Sequence, residues 1–366
     1  MSDLERSLLD AALRESLVRA LRGKRRRREP AWFALDRGAE LAALRDAIAE
    51  RTYTPGPGRA FSITEPKARL IYALPFRDRV AQHLLITAMM PALERWFAPQ
   101  SYACRVGKGS HRCLHRAIEL TRSKRFVLRI DIQKFFPSID HAILRGILGP
   151  YTPPALGWLR DAFLAQRAAT EPVAWHFPGD SLFTPYERPH GLPIGSLTSQ
   201  IWANAHLTPI DHRIASGLGL GTFVRYSDDI LVFDDDRARL HAALESIEAL
   251  AHRLRLRLHP EKTRLHRTTD SVRFLGFVLA RRGSGREAGV SVRLHGENTR
   301  RFRARMQELQ ALYRIGAVEP EEVVQRIRAW LAHASHGDTR ALCRRELARI
   351  AFTRADEPND DDCDGT

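Results

Sequence analysis

Apolar positions along the chain recur with two different periods. Residues 3–22 carry Leu8, Leu9, Ala12, Leu17 and Leu21 on one broad face at helical spacing. Residues 36–51, 77–97, 196–216 and 237–257 show the same periodicity and 140–148 a shorter stretch of it, so each predicts a helix. Residues 61–74 (FSITEPKARLIYAL) predict two short strands around a polar turn, and residues 126–132 (FVLRIDI) a buried strand. Residues 222–234 (TFVRYSDDILVFD) predict two strands joined by a tight polar turn, and residues 272–280 a further apolar strand. Pro55-Gly56-Pro57-Gly58 marks a turn-rich break. Residues 171–190, rich in Pro, Gly and aromatics, predict a loop or small hairpin. From Glu297 onward two or three basic helices follow, and no internal repeat is present. The order strand, helix, hairpin, helix, strand implies an α+β domain with an antiparallel sheet and helices on one face, followed by an all-helical unit.

Charge changes the picture of what such a domain meets. The chain has 366 residues, 44% of them hydrophobic, enough for a buried core and two or three subdomains. Its formal net charge is +15, although Asp356, Glu357, Asp360, Asp361, Asp362 and Asp364 crowd the end without a balancing base. The rest of the chain is therefore more basic still, and a body of that kind points to a polyanion, ordinarily nucleic acid. The run Lys24-Arg25-Arg26-Arg27-Arg28 reads either as a solvated segment or as one that holds RNA phosphates. Among residues 297–350, Arg300, Arg301, Arg303, Arg305, Arg344 and Arg345 accompany an apolar set that includes Leu309, Val323, Ile327 and Trp330. That pattern suits helices that bury one side and offer cations on the other. The four cysteines form no CxxC pair, which argues against a zinc site and against a disulfide-stapled fold. The stretch Met1–Ala20 is charged and amphipathic, unlike a signal peptide, and no apolar run approaches membrane-spanning length. The expectation is a soluble cytoplasmic protein with no membrane partner and a disordered acidic tail at 356–366.

Three carboxylates carry the candidate chemistry. Asp131 ends an apolar strand, and Asp228 and Asp229 sit between two others. If those strands are neighbours, the three acids meet at one rim of a sheet. Carboxylates at close range repel and take up protons. Two Mg²⁺ ions would remove that conflict and supply what nucleotidyl transfer needs, one activating a 3′-hydroxyl and one neutralising the triphosphate and the leaving pyrophosphate. An isolated Asp-Asp pair usually marks an ordinary turn, so the ordered motifs around it decide the matter.

Those motifs resemble the reverse transcriptases. Asp131-Ile132-Gln133-Lys134-Phe135-Phe136-Pro137-Ser138-Ile139 is similar to their first palm motif and Tyr226-Ser227-Asp228-Asp229 to their YxDD box. Between them, Gly191-Leu192-Pro193-Ile194-Gly195-Ser196-Leu197-Thr198-Ser199-Gln200 resembles the dNTP-pocket motif. His259-Pro260-Glu261-Lys262-Thr263 and the primer-grip-like Phe274-Leu275-Gly276-Phe277 follow. Upstream, Pro66-Lys67-Ala68-Arg69, Asp78-Arg79-Val80, Ser101-Tyr102-Ala103 and Gly107-Lys108-Gly109 resemble the fingers of bacterial members. The resemblance runs in order from about Tyr53 to Leu279.

It implies a right-hand polymerase of fingers, palm and thumb, with an antiparallel palm sheet and an all-helical thumb. The implied layout is a basic helical extension over 1–50, fingers and palm over 51–280, and the thumb over 281–355. The implied reaction is RNA-directed DNA synthesis with two Mg²⁺, on template RNA, primer or cDNA, and dNTPs. Asp131 and Asp228 would hold both metals with help from the Ile132 carbonyl, and Asp229 would support them. Lys67 and Arg69 would clamp the triphosphate. Phe136 would exclude a 2′-hydroxyl, and Lys262 would protonate pyrophosphate. Ile194, Gly195 and Gln200 would line the nucleotide pocket.

Group II intron and retroviral enzymes carry Gln where this chain has Ile194, and Pro where it has Gln200. The pattern here instead resembles diversity-generating retroelement enzymes, which copy a template RNA with errors at adenines and work with a basic oligomeric accessory protein. An apolar side chain at 194 removes polar checking of the nascent base pair. Antiphage defence-associated reverse transcriptases share much of the same core and remain an alternative. So does a non-catalytic RNA-binding protein on a polymerase scaffold.

Overall fold

The computed structural model describes residues 3–64, 68–166, 171–283 and 285–354. The chain runs α1 (Asp3–Leu21), α2 (Arg28–Leu35), α3 (Arg37–Ala49), β1 (Arg59–Ile63), β2 (Arg69–Ala73), α4 (Phe76–Trp96) and α5 (Ser110–Ser123). It continues with β3 (Phe126–Asp131), the single-turn α6 (Phe135–Ser138), α7 (His141–Leu148), α8 (Gly157–Ala165) and the single-turn α9 (Thr184–Glu187). Next come α10 (Leu197–His212), β4 (Phe223–Tyr226), β5 (Asp229–Asp234), α11 (Arg237–Arg253), β6 (Arg264–Arg267), β7 (Val272–Phe274) and β8 (Phe277–Arg282). The chain ends with β9 (Gly289–Leu294), α12 (Gly296–Arg314), α13 (Pro320–Ala334) and α14 (Arg340–Leu347).

Two compact units share these elements. One comprises residues 1–109, 128–232 and 237–265, and the other residues 110–127, 233–236 and 266–366. In the first, α1, α2, α3 and α10 pack on α4, whose Val80, Ala81, Leu85, Met89 and Leu93 are buried. β1 and β2 form an antiparallel hairpin with Arg59 opposite Ala73 and Ile63 opposite Arg69. The main sheet has the strand order β4-β5-β3-β6. β4 and β5 make a tight hairpin in which Tyr226 faces Asp229, leaving Ser227 and Asp228 as the turn. Ser227 has φ +58°, the left-handed setting that a two-residue hairpin turn requires at its first position. α10 holds Pro209 in its interior and passes directly into a π-helical turn at Arg213–Gly217.

In the second unit α5 packs on β8 and β9. Residues 272–280 form two strands rather than one. Leu275 (φ +49°) and Gly276 (φ +85°) turn the chain back so that Phe274 faces Phe277. Two successive positive φ values fit the right-handed twist of such a hairpin. The region from 281 onward is not helical throughout, because β9 adds a third strand opposite β8. After it α12 and α13, with the segment that joins them, bury Phe302, Met306, Leu309, Val318 and Val323, and Phe302 stacks on Trp330 at 3.8 Å between ring centroids. The Glu346 carboxylate, 1% exposed, receives Arg303 at 2.6 and 2.7 Å. No helix among the described residues is long and apolar enough to cross a membrane. The acidic tail lies outside the described residues.

Candidate active site

The sheet brings the three carboxylates to one edge of the first unit. β3 lies beside β5, and the strands run antiparallel, because Arg129 Nε reaches Asp229 Oδ1 (3.4 Å) while the Arg125 amide reaches Asp235 (3.0 Å). The end of β3 therefore meets the start of β5, and Asp131 faces the Ser227-Asp228 turn. Burial raises the Asp228 carboxyl above its ordinary range; backbone bonding opposes this, Asp131 adds to it, and Ser227 and Arg69 pull it down. Burial also pushes Asp229 up to about 7, with Arg129 opposing and Asp228 and Asp131 adding. The mutual repulsion is a sign of proximity.

Two basic side chains answer part of that charge. Lys262 Nζ lies 3.1 Å from Asp131 Oδ1, near the end of the connection from α11 to β6. Arg129, two residues before Asp131 on the same face of β3, pairs with Asp229. Arg129 was not among the residues singled out from the sequence, although period-two alternation marks it as a neighbour of Asp131. The backbone holds the Lys262 segment in place. The His259 amide donates to the Asp131 carbonyl (2.8 Å) and the Gln133 amide to the Arg257 carbonyl (2.9 Å), bracketing buried Ile132, which bridges to Leu258. Lys134 then takes φ +43° and α6 begins.

The 189–196 loop is bonded on two sides. On one, Leu192 N donates to Phe136 O (2.9 Å), Gly191 N to Ile139 O (2.8 Å), and His190 Nδ1 sits 2.8 Å from Pro137 O. These bonds set the half-buried Phe136 ring, which is edge-on to Phe135, beside the loop that carries Ile194. On the other side, Tyr72 N donates to Ile194 O (2.9 Å), tying the loop to β2, whose first residue is the exposed Arg69. Gly195 has φ +113°; a Cβ there would lie 3.0 Å from Ile71 Cγ2 and 3.3 Å from the Tyr72 carbonyl. Gln82 Nε2 donates to Ser196 Oγ (2.8 Å) and Thr198 Oγ1 (3.1 Å), fixing the start of α10 from within the core. Gln200 is exposed one turn on, its Oε1 3.5 Å from Cys104 Sγ. Lys67 lies outside the described residues.

The structure thus gathers Asp131, Ile132, Asp228, Asp229, Lys262 and Arg129 at one edge, with Arg69 within electrostatic reach of Asp228. It places Phe136, Ile194 and Gly195 on one bonded loop system, with Gln200 on the following helix. Among the described residues no group of three His, Cys, Asp or Glu side chains forms a ready-made metal cage. Two or three carboxylates on a rim suit Mg²⁺, which keeps waters and takes phosphate oxygens as its remaining ligands.

A family model described as reverse transcriptase (RNA-dependent DNA polymerase) matches residues 62–279, more than half of the chain. Among curated proteins, the chain is 27% identical to Protein YkfC of Escherichia coli (strain K12) over 289 residues, 67% of this chain and 72% of that protein. It is 31% identical to the Retron Mx65 reverse transcriptase of Myxococcus xanthus over 168 residues, 43% of this chain and 36% of the retron enzyme. It is 25% identical to the Retron Mx162 reverse transcriptase of the same organism over 293 residues, 75% and 54% of the respective lengths. The matches span well under two thirds of either retron enzyme.

Proposed function

Because the chain belongs to the reverse transcriptase family of RNA-directed DNA polymerases, we propose that it copies an RNA template into cDNA at the edge formed by Asp131, Asp228 and Asp229. The family implies a fingers, palm and thumb fold, RNA template, primer and dNTPs as substrates, and divalent metal ions. The observation that carries the site assignment is the convergence of three mutually repelling carboxylates on one sheet edge. Asp131 and Asp228, with the Ile132 carbonyl and with Asp229 in support, are the residues that would hold two Mg²⁺. When bound, these ions supply charge neutralisation for the triphosphate and a more acidic primer hydroxyl. The chain's own side chains do the rest. Arg69 and Lys67 neutralise triphosphate oxygens, and Phe136 closes the space where a 2′-hydroxyl would sit. Ile194, Gly195 and Gln200 shape the pocket. Lys262 exchanges its Asp131 partner for a role as proton donor to pyrophosphate. Residues 51–280 serve as fingers and palm, residues 281–355 hold the template-primer duplex, and residues 1–50 extend the basic surface.

Primer extension on an RNA template with dNTPs and Mg²⁺ tests this. Asp228→Asn should lose about a thousandfold in rate, the scale of several kcal/mol of charge stabilisation. Equal product from variant and wild type would leave a non-catalytic RNA-binding protein as the better reading.

For the biological role, Ile194 and Gln200 support error-prone copying of a template RNA at adenines, as in a diversity-generating retroelement, alongside a basic oligomeric accessory protein. Sequenced cDNA from wild type and Ile194→Gln checks this: the variant should misincorporate less opposite adenine. An unchanged error spectrum removes Ile194 from the argument. The likeness to two retron enzymes supports a second reading, an antiphage defence reverse transcriptase.

A further inference from the structure

One residue before the Tyr226-Ser227-Asp228-Asp229 segment, β4 carries an arginine with no exposed surface. Arg225 interrupts an otherwise apolar and aromatic strand, and burying a guanidinium is costly unless every donor finds a partner. Here all five do. Nε and one Nη donate to the two oxygens of Asp211, itself 0% exposed, at 2.7 and 2.5 Å. That second Nη also reaches the Asn204 carbonyl (3.3 Å). The first donates to Asn204 Oδ1 (2.7 Å) and to the carbonyl of Ser227 (3.2 Å). Only the last of these bonds leaves the core and enters the catalytic turn.

The backbone around Arg225 is held as firmly. Its amide donates to Gln100 O and its carbonyl accepts from Tyr102 N, both at 2.9 Å, in a parallel bridge with Ser101. Ser101 Oγ and the Ala103 carbonyl both bond Asn204. The Ser101-Tyr102-Ala103 motif, far upstream in sequence, is thereby part of the same assembly. Ser227 meanwhile holds φ +58°, a setting that a non-glycine residue keeps only when its surroundings impose it.

We propose that Arg225 is a positioning residue for the metal-binding carboxylates: by holding the Ser227 carbonyl against Asp211 and Asn204, it fixes the left-handed turn that aims Asp228 and Asp229 at Asp131. The inference rests on the polymerase reading of that edge. A purely structural ion pair predicts something different, because buried pairs are commonly replaceable by apolar side chains of similar volume without loss of stability.

Two variants separate these cases. Arg225→Lys keeps the charge but has three donors, too few to hold Asp211, Asn204 and Ser227 together. The double variant Arg225→Met/Asp211→Leu fills the space and leaves no buried charge. For each, the melting curve, the Mg²⁺ activation midpoint, and kcat and KM for dNTP are measured on the full chain. The expected result is a raised Mg²⁺ midpoint and a fall in kcat of about tenfold to a hundredfold in folded protein, as for a small misplacement of reacting groups, with KM for dNTP little changed. A wild-type midpoint and kcat in either folded variant would overturn the proposal. So would a loss of activity that only tracks the folded fraction, complete unfolding included. Asp228→Asn run in parallel distinguishes the underlying reading: if it extends primers like the wild type, the edge is not the polymerase centre, whatever Arg225 does.

Discussion

Gly195 has no room for a side chain. Its φ of +113° suits glycine alone, and a methyl group would press on Ile71 and on the Tyr72 carbonyl. Gly195→Ala should therefore cost about 1–3 kcal/mol of stability and displace the Ile194 loop. A higher KM for dNTP and a lower melting temperature are the readouts; a variant indistinguishable from wild type in both would refute the close packing. At this scale the sequence exposes what is chemically odd for its surroundings. Asp131, Asp228 and Asp229 stand out because apolar strands flank them, and Arg129 is reachable by alternation from Asp131. Arg225 stands out less: a lone arginine in a strand reads equally well as an edge cation. Its meaning depends on Asp211 and Asn204, 14 and 21 residues away, which no local pattern joins to it.

Elements with a long, regular apolar stripe were legible: α1, α4, α10 and α11 lie close to the ranges the periodicity predicts. α5 was not, although Cys113, Leu114, Ala117, Leu120 and Thr121 form its buried stripe. Small and sulfur-bearing residues carry that stripe weakly, and five histidines and arginines surround it. The hairpin of β7 and β8 hides for another reason. Its turn is Leu275-Gly276, so Phe-Leu-Gly-Phe reads as unbroken apolar strand where Asn-Gly or Asp-Gly would announce a reversal. β9, with only Val292 and Leu294 buried, has too short an inward face to register. Among the last three helices the packing has one focus, the stacked pair Phe302 and Trp330. Phe302→Ala should remove about 3–5 kcal/mol and loosen α12 against α13. Hydrogen exchange in 296–334 checks this; protection equal to wild type there would show that the stack is not the keystone of the helices.

On the scale of the whole molecule, neither compact unit is a continuous stretch of chain, and residues 110–127 belong with residues beyond 265. Such interleaving has no signature in composition, which is why a reading along the chain yields consecutive domains. Stability against acid is also a property of the whole. His206 is fully buried and His83 partly so, and burial holds both imidazoles down at about 4, with Lys24 and Arg19 adding to the effect at His83. Unfolded, each would titrate near about 6.5. Between those values the unfolded chain binds the extra protons, so stability falls as pH drops through that window, by about 1.4 kcal/mol per pH unit for the buried His206. The melting temperature of His206→Leu should fall less between pH 7 and pH 5 than that of the wild type; parallel curves would refute this. The bond from Tyr72 N to Ile194 O has a consequence for how such a chain can evolve. If Arg69 grips the triphosphate and Ile194 sets accuracy, as proposed, this one bond between β2 and the 189–196 loop ties the two, and accuracy and nucleotide affinity would not be separately adjustable traits. A lineage selected for faithful copying would shift its appetite for dNTP at the same step, and one living on scarce nucleotides would drift in accuracy.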